Sequence, residues 1–111
     1  MTLENDLDEK IDNHVVETFG SVDKTLNERG KRYGSFKTHA EITQNIKSAM
    51  QNSPNWLKLS PDKIECLDMI AHKIGRILNG DPEYSDSWHD IAGYATLVEK
   101  ELNKKKLTEA V

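Results

Sequence analysis

A single cysteine, Cys66, occurs among the 111 residues, so no disulfide can form within the chain. That usage fits a reducing, intracellular setting. Long apolar runs are missing too, and no stretch approaches the roughly 20 residues that a membrane-spanning helix needs. The opening MTLENDLDEK is acidic and lacks the apolar segment of a secretory signal. The expected location is the cytoplasm. Basic excess is absent as well: a net charge of -4 argues against general nucleic-acid binding, which favours a positive surface. No alternation of useful length suggests a strand, and there is no internal repeat. No glycine-rich phosphate loop of the P-loop type occurs. His14, His39, His72 and His89 do not stand at zinc spacing with Cys66. Without a serine-centred elbow or a second cysteine, no catalytic nucleophile is assigned.

A chain of this length makes one domain with a modest core, so association that hides further apolar surface is expected. Charge is unevenly spread. Residues 1–17 hold Glu4, Asp6, Asp8, Glu9, Asp12 and Glu17 against Lys10 alone. Residues 24–37 hold Lys24, Arg29, Lys31, Arg32 and Lys37 against Glu28. A local basic segment on an acidic protein suits a small anion better than a long duplex; the plainer alternative is a solvated charged face.

Helical periodicity dominates the rest. Leu3, Leu7, Ile11, Val15 and Phe19 form an apolar stripe that predicts an acidic, amphipathic N-terminal helix over 1–20, ending near Gly20. A short helix over 22–28 follows, and ERGKRYGSF, with Gly30 and Gly34, reads as a turn or irregular helix end. Ile42, Ile46, Ala49 and Met50 mark a helix over 37–51. Ser60, Pro61 and Gly80 bracket a helix over 61–79, with Ile64, Leu67, Ile70, Ala71, Ile74, Ile77 and Leu78 on its apolar face. The last helix is predicted over 86–104 with Ser85 as cap and Trp88, Ile91, Ala95, Val98 and Leu102 as core stripe. The expected organisation is therefore an all-α, small helical bundle of about four helices. Residues 21–104 form its core and 105–111 a loose tail.

Two helical faces carry chemistry. Glu65, Asp68, His72 and Arg76 share one edge of the 61–79 helix, with Lys73 facing further out; such a stripe holds a metal or a phosphate, or makes surface pairs. Opposite the core stripe of the last helix lie Asp86, Asp90, Gly93, Tyr94 and Leu97. Glycine in mid-helix costs about 1 kcal/mol against alanine, so close approach by a backbone or ligand is expected at Gly93. On such a covered face Asp86 and Asp90 require compensation, by Lys73 or Arg76 as ion pairs or by Mg²⁺ on a phosphate.

The stretch LDMIAHKIGRILNGDPEYSDSWHDIAGYATLVEKEL, with ERGKRYGSFKTHAEI upstream, resembles small phage-encoded proteins of uncharacterised function that carry a K-I-x-R-I…D-x-x-x-D-x-x-G-Y pattern. The likeness covers residues 26–102, and the matching positions are Lys73, Arg76, Asp86, Asp90, Gly93 and Tyr94. More distantly, DSWHDIAGYATL is similar to the second metal-binding helix of MazG-like all-α nucleoside triphosphate pyrophosphohydrolases. That likeness implies a MazG-like bundle completed by oligomerisation. Asp90 matches the final acid of the second motif, Ser87 stands where a glutamate is usual, and Glu65-x-x-Asp68 is the partner for the first motif. Lys73 and Arg76 stand where the enzymes keep more acids, and bases bind phosphate directly rather than through a metal.

Two functions are therefore expected as rivals. In the first, Arg32, Tyr33, His39, Lys73, Arg76, Asp86, Asp90 and Tyr94 bind a phosphorylated small molecule, a nucleotide, without a cofactor; sequestration of a host signalling nucleotide is one use. In the second, Glu65, Asp68, Asp86 and Asp90 hold Mg²⁺ for pyrophosphohydrolysis. A third reading is a non-catalytic interaction module.

Overall fold

A computed structural model describes residues 13–110. Four α-helices and one 3₁₀ turn make up the described chain, which contains no strand: α1 (Asn13–Tyr33), α2 (Phe36–Gln51), the turn Trp56–Lys58, α3 (Pro61–Asn79) and α4 (Ser85–Ala110). The all-α bundle of four helices is as expected. None of these helices is long and apolar enough to cross a membrane.

Two boundaries differ from expectation. The predicted break near Gly20 is absent, and the helix end expected within 28–36 falls at Gly34 rather than Gly30, because α1 runs unbroken to Tyr33. Nothing within 4 Å would meet a side chain at Gly20 or Gly30, so both are simply tolerated in an exposed helix. The helix stops at Gly34, whose φ of 80° is the left-handed conformation that glycine adopts freely. The N-terminal stripe from Leu3 to Ile11 lies outside the described residues. At the other end, the tail expected beyond Lys104 is helical to Ala110. Residues 94–110 contain neither glycine nor proline, and Lys104 pairs with Glu101 at 3.3 Å.

Helix α2 starts behind Ser35, whose hydroxyl accepts from the Thr38 N–H. Ser60 and Pro61 begin α3 as expected, although the Ser60 side chain makes no capping bond. α3 is the central element, packed along α2 on one side and α4 on the other, while α1 is joined to this body at its C-terminal end. Its residues from Gly20 to Arg32 are exposed.

The interior is polar. Ala71 is the sole fully buried apolar side chain among the described residues; His39, Thr43, Lys73 and Ser87 are buried with it. Ile42, Ile46, Ile64, Ile70, Ile74 and Ile77 are half-buried ridges around them. Leu67 and Leu78, expected in the core, are exposed, and so are Trp88, Ala95 and Leu102 of the expected α4 stripe. α4 turns Ser87, Ile91, Tyr94 and Val98 toward the body instead. This rotation brings Asp90 within 3.0 Å of Lys73.

Close approach occurs on α3, not α4. A Cβ on Gly75 would stand 2.5 Å from Thr43 Oγ1 and 3.0 Å from His39 Cε1, whereas one on Gly93 would meet nothing within 4 Å. Gly75→Ala is therefore expected to lower stability by about 1–3 kcal/mol despite the better helix propensity. Gly93→Ala should raise it by roughly 0.5–1 kcal/mol. Urea unfolding followed by circular dichroism checks the pair, and equal stabilisation by both would refute the packing described.

Candidate functional site

Two chain reversals are pressed together at one end of the bundle. The α1–α2 turn at Gly34 lies against the α3–α4 turn at Gly80. A side chain at Gly34 would collide with the Asn79 carbonyl, and one at Gly80 with Arg32 and Tyr33 backbone. Asn79 Nδ2 donates to the Tyr33 carbonyl at 2.9 Å and to that of Ser35 at 2.8 Å. The Asp81 N–H donates to the Arg32 carbonyl at 2.7 Å. The bonds to the Tyr33 and Arg32 carbonyls satisfy acceptors left open by the end of α1.

The clamp sets a ladder of cations and rings. The Arg76 guanidinium lies 4.2 Å from the centre of the Tyr33 ring, and that of Arg32 lies 4.4 Å from Tyr84. Tyr33 and Tyr84 meet edge to face at 6.2 Å. Arg32 Nη1 donates to the Tyr84 hydroxyl at 3.2 Å, which in turn donates to Asp86 Oδ2 at 2.6 Å. That bond to Asp86 holds the phenol proton and pushes the Tyr84 pKa up.

Beside the ladder is a cleft of about 740 Å³, whose charged or ionisable walls are Arg29, Tyr33, His39, His72 and Arg76. No carboxylate lines it. Among the described residues, neither Arg29 nor Arg76 has a carboxylate within ion-pair distance. His39 Nε2 and His72 Nδ1 stand 3.3 Å apart with the rings edge to face, and Thr43 Oγ1 is 3.4 Å from the same His39 nitrogen. Burial pulls the His72 imidazole down to about 4, helped by His39 and the charges of Arg76, Lys73 and Lys47. Burial also lowers His39, helped by the charges of Arg76 and Lys47, and its Nδ1 is buried without a hydrogen-bond partner. The His72 ring is therefore neutral at pH 7, and an arriving anion would favour protonation of either imidazole.

The ligand residues expected from the sequence fall into two groups. Arg32, Tyr33, His39, Arg76 and Asp86 surround the clamp. Lys73 and Asp90 form a separate ion pair on the α3–α4 seam, with the Lys73 side chain 11% and Asp90 43% exposed. Tyr94 is half-buried on that seam. The expected joint compensation of Asp86 and Asp90 is thus divided, because Asp86 engages Tyr84. The α4 face of Asp86, Gly93 and Leu97 is open in the single chain. Glu65 is exposed, Asp68 half-buried with Oδ1 unpartnered, and no three His, Cys, Asp or Glu side chains among the described residues gather as a metal site. Sequence reasoning missed Tyr84 and Asn79, which lie 51 and 46 residues from Tyr33 and carried no periodic signal. His72 was visible only as part of a mixed stripe.

Residues 17–102 match the family model described as Domain of unknown function (DUF6378), and the chain belongs to that family. No curated protein and no solved structure matches it.

Removing the Asp90 carboxylate leaves a buried ammonium without its partner. Asp90→Ala should cost about 1–3 kcal/mol, and Lys73→Met, which keeps the packed stem, distinctly less. Equal losses in denaturant unfolding would contradict this asymmetry. The depressed His72 pKa gives a second expectation. Between about 6.5, the ordinary value, and about 4, the unfolded chain takes up a proton that the native one refuses. Stability should therefore be full above that window and fall as the pH drops through it. His72→Gln should flatten that stretch of the thermal-midpoint profile, and an unchanged slope would be the contrary result.

Proposed function

We propose that this member of the DUF6378 family binds a phosphorylated small molecule, a nucleotide, in the cleft between the end of α1, the start of α2 and α3. The observation that carries the reading is a cleft walled by arginine and histidine without a single carboxylate, on a chain of net charge -4. Its volume lies within the usual range for small-molecule sites, about 300–1,000 Å³. Arg76 and Arg29 supply forked donors for phosphate oxygens. Tyr33 holds Arg76 by its ring face, leaving the guanidinium edge free to donate. His39 and His72 take up a proton beside the bound anion, and the exposed Phe36 and Leu26 offer apolar surface to a base. Lys73 and Asp90 act at a distance by fixing α4 on α3.

The likeness to small phage-encoded proteins extends the reading to sequestration of a host signalling nucleotide, held intact as a counter to defence. Pyrophosphohydrolysis of the MazG-like kind would need Glu65, Asp68, Asp86 and Asp90 around Mg²⁺. Within one chain Asp86 is engaged by Tyr84 and Asp90 by Lys73, and no three such side chains among the described residues gather, so the MazG-like reading ranks second. A homo-oligomer belongs to the proposal, since so little apolar surface is hidden in one copy.

Calorimetric titration with nucleoside mono-, di- and triphosphates, with and without Mg²⁺, tests the proposal. Metal-independent binding of at least one, recovered intact, is the expected result. Arg76→Ala should weaken it by roughly 10- to 100-fold, as loss of a charge-assisted contact of about 1.5–3 kcal/mol requires. Pyrophosphate release would replace the binder by the enzyme. No heat or thermal shift with any phosphate would leave the interaction module.

A further inference from the structure

The cleft beside the clamp draws its donors from two helices. Arg29 lines it from α1, while His72 and Arg76 line it from α3. His72 and Arg76 stand four residues apart, so they are neighbours on one face of that helix. The Tyr33 ring covers one face of the Arg76 guanidinium at 4.2 Å, which leaves its N–H edge to meet a ligand. His72 Nδ1 is engaged by His39 Nε2 at 3.3 Å. Among the described residues His72 Nε2 has no hydrogen-bond partner, and it is not a buried atom. It is the nitrogen left to the cleft. A bound anion selects the tautomer in which His39 Nε2 donates to His72 Nδ1 and the proton of His72 sits on Nε2. His72 then joins the two arginines as a third donor.

Given the anion-binding role proposed for this cleft, we infer that it selects a terminal phosphate monoester over a phosphodiester, with Arg29, Arg76 and His72 donating to the three free oxygens. Charge supports the monoester first. The two guanidiniums bring two positive charges, no carboxylate lines the walls, and neither arginine has an ion-pair partner among the described residues. A monoester carries nearly two negative charges at neutral pH, because its second pKa is about 6. A diester carries one, which leaves one guanidinium uncompensated. Oxygen count agrees. Three donor groups match three terminal oxygens, whereas a diester has two free oxygens and a second organic substituent. That substituent would stand where a donor expects an acceptor, and the donor would go unpaired. The apolar surface fits one substituent. Besides Tyr33, the large apolar side chains of the lining are Leu26 and Phe36, 59% and 79% exposed. A second substituent would lie against arginine or imidazole instead.

Calorimetric titration of the full chain at about pH 7.5, where a monoester is almost wholly dianionic, compares the 5′-monophosphates of the common ribonucleosides with their 3′,5′-cyclic diesters. Each pair shares one base, so the phosphate alone differs. The tightest monophosphate should bind about 10- to 100-fold more strongly than its cyclic counterpart, as loss of one charge-assisted contact requires. Arg29→Gln removes a charge from an exposed helix position, so circular dichroism should show the fold retained. It should pull the ratio down to about 3-fold or less, through the monophosphate. His72→Phe keeps the bulk of the ring, deletes the third donor and should lower the ratio in the same direction. Cyclic diesters bound as tightly as the monophosphates would overturn the monoester assignment and leave an anion cleft in place. So would a ratio that neither Arg29→Gln nor His72→Phe lowers. Absence of heat with both classes would remove the anion reading itself, and the assignment with it.

Discussion

The backbone contact between the Gly34 and Gly80 turns is the constraint on which the remaining geometry depends. Neither position admits a Cβ, and the gap is closed by main-chain and Asn79 hydrogen bonds rather than by apolar packing. Such bonds are short and directional, so they fix the end of α1 on α3 to within a few tenths of an ångström. Tyr33 and Arg32 are the last residues of α1, and their rings and charges are therefore placed by the clamp. The stacking of Arg76 on Tyr33 and of Arg32 on Tyr84 follows from it.

A polar interior gives this fold an unusual balance. Where His39, Thr43, Lys73 and Ser87 occupy buried positions, burial of area contributes less and the pairing of each donor and acceptor counts for more. Asp90 on Lys73 and His72 beside His39 are the pairings in question. The same groups that hold α2, α3 and α4 together are ionisable, which ties stability to pH and to nearby anions. A ligand that satisfied the arginines and imidazoles would stabilise the fold in proportion to its binding. An extended helix with half its stripe uncovered supplies the complementary deficit, apolar surface that one chain does not hide.

Sequence periodicity located α2, α3 and most of α4 because helix signals are local: Ser60 and Pro61 at the start of α3, Gly80 after Asn79, and apolar residues at three- and four-residue spacing. It failed at Gly20, where glycine in an exposed helix costs little and punctuates nothing, and of the two glycines in 28–36 only Gly34 ends the helix. It also mistook which side of α4 faces inward. Trp88, Ala95 and Leu102 obey the periodicity as well as Ile91 and Val98 do, and only the reach from Lys73 to Asp90 distinguishes the two halves. Gly93 was read as a close approach when Gly75 is the one, since a glycine's neighbours come from another helix.

The order of residues thus determined the all-α class, the helix register and the presence of a basic segment on an acidic chain, since each depends on neighbours within a turn or two. Which cations share a wall was settled by the tertiary structure. Arg29 and Arg76 are 47 residues apart, His39 and His72 are 33 apart, and only the clamp between two turns brings them to one cleft. Separation in sequence carries no distance information until backbone hydrogen bonds close the loop.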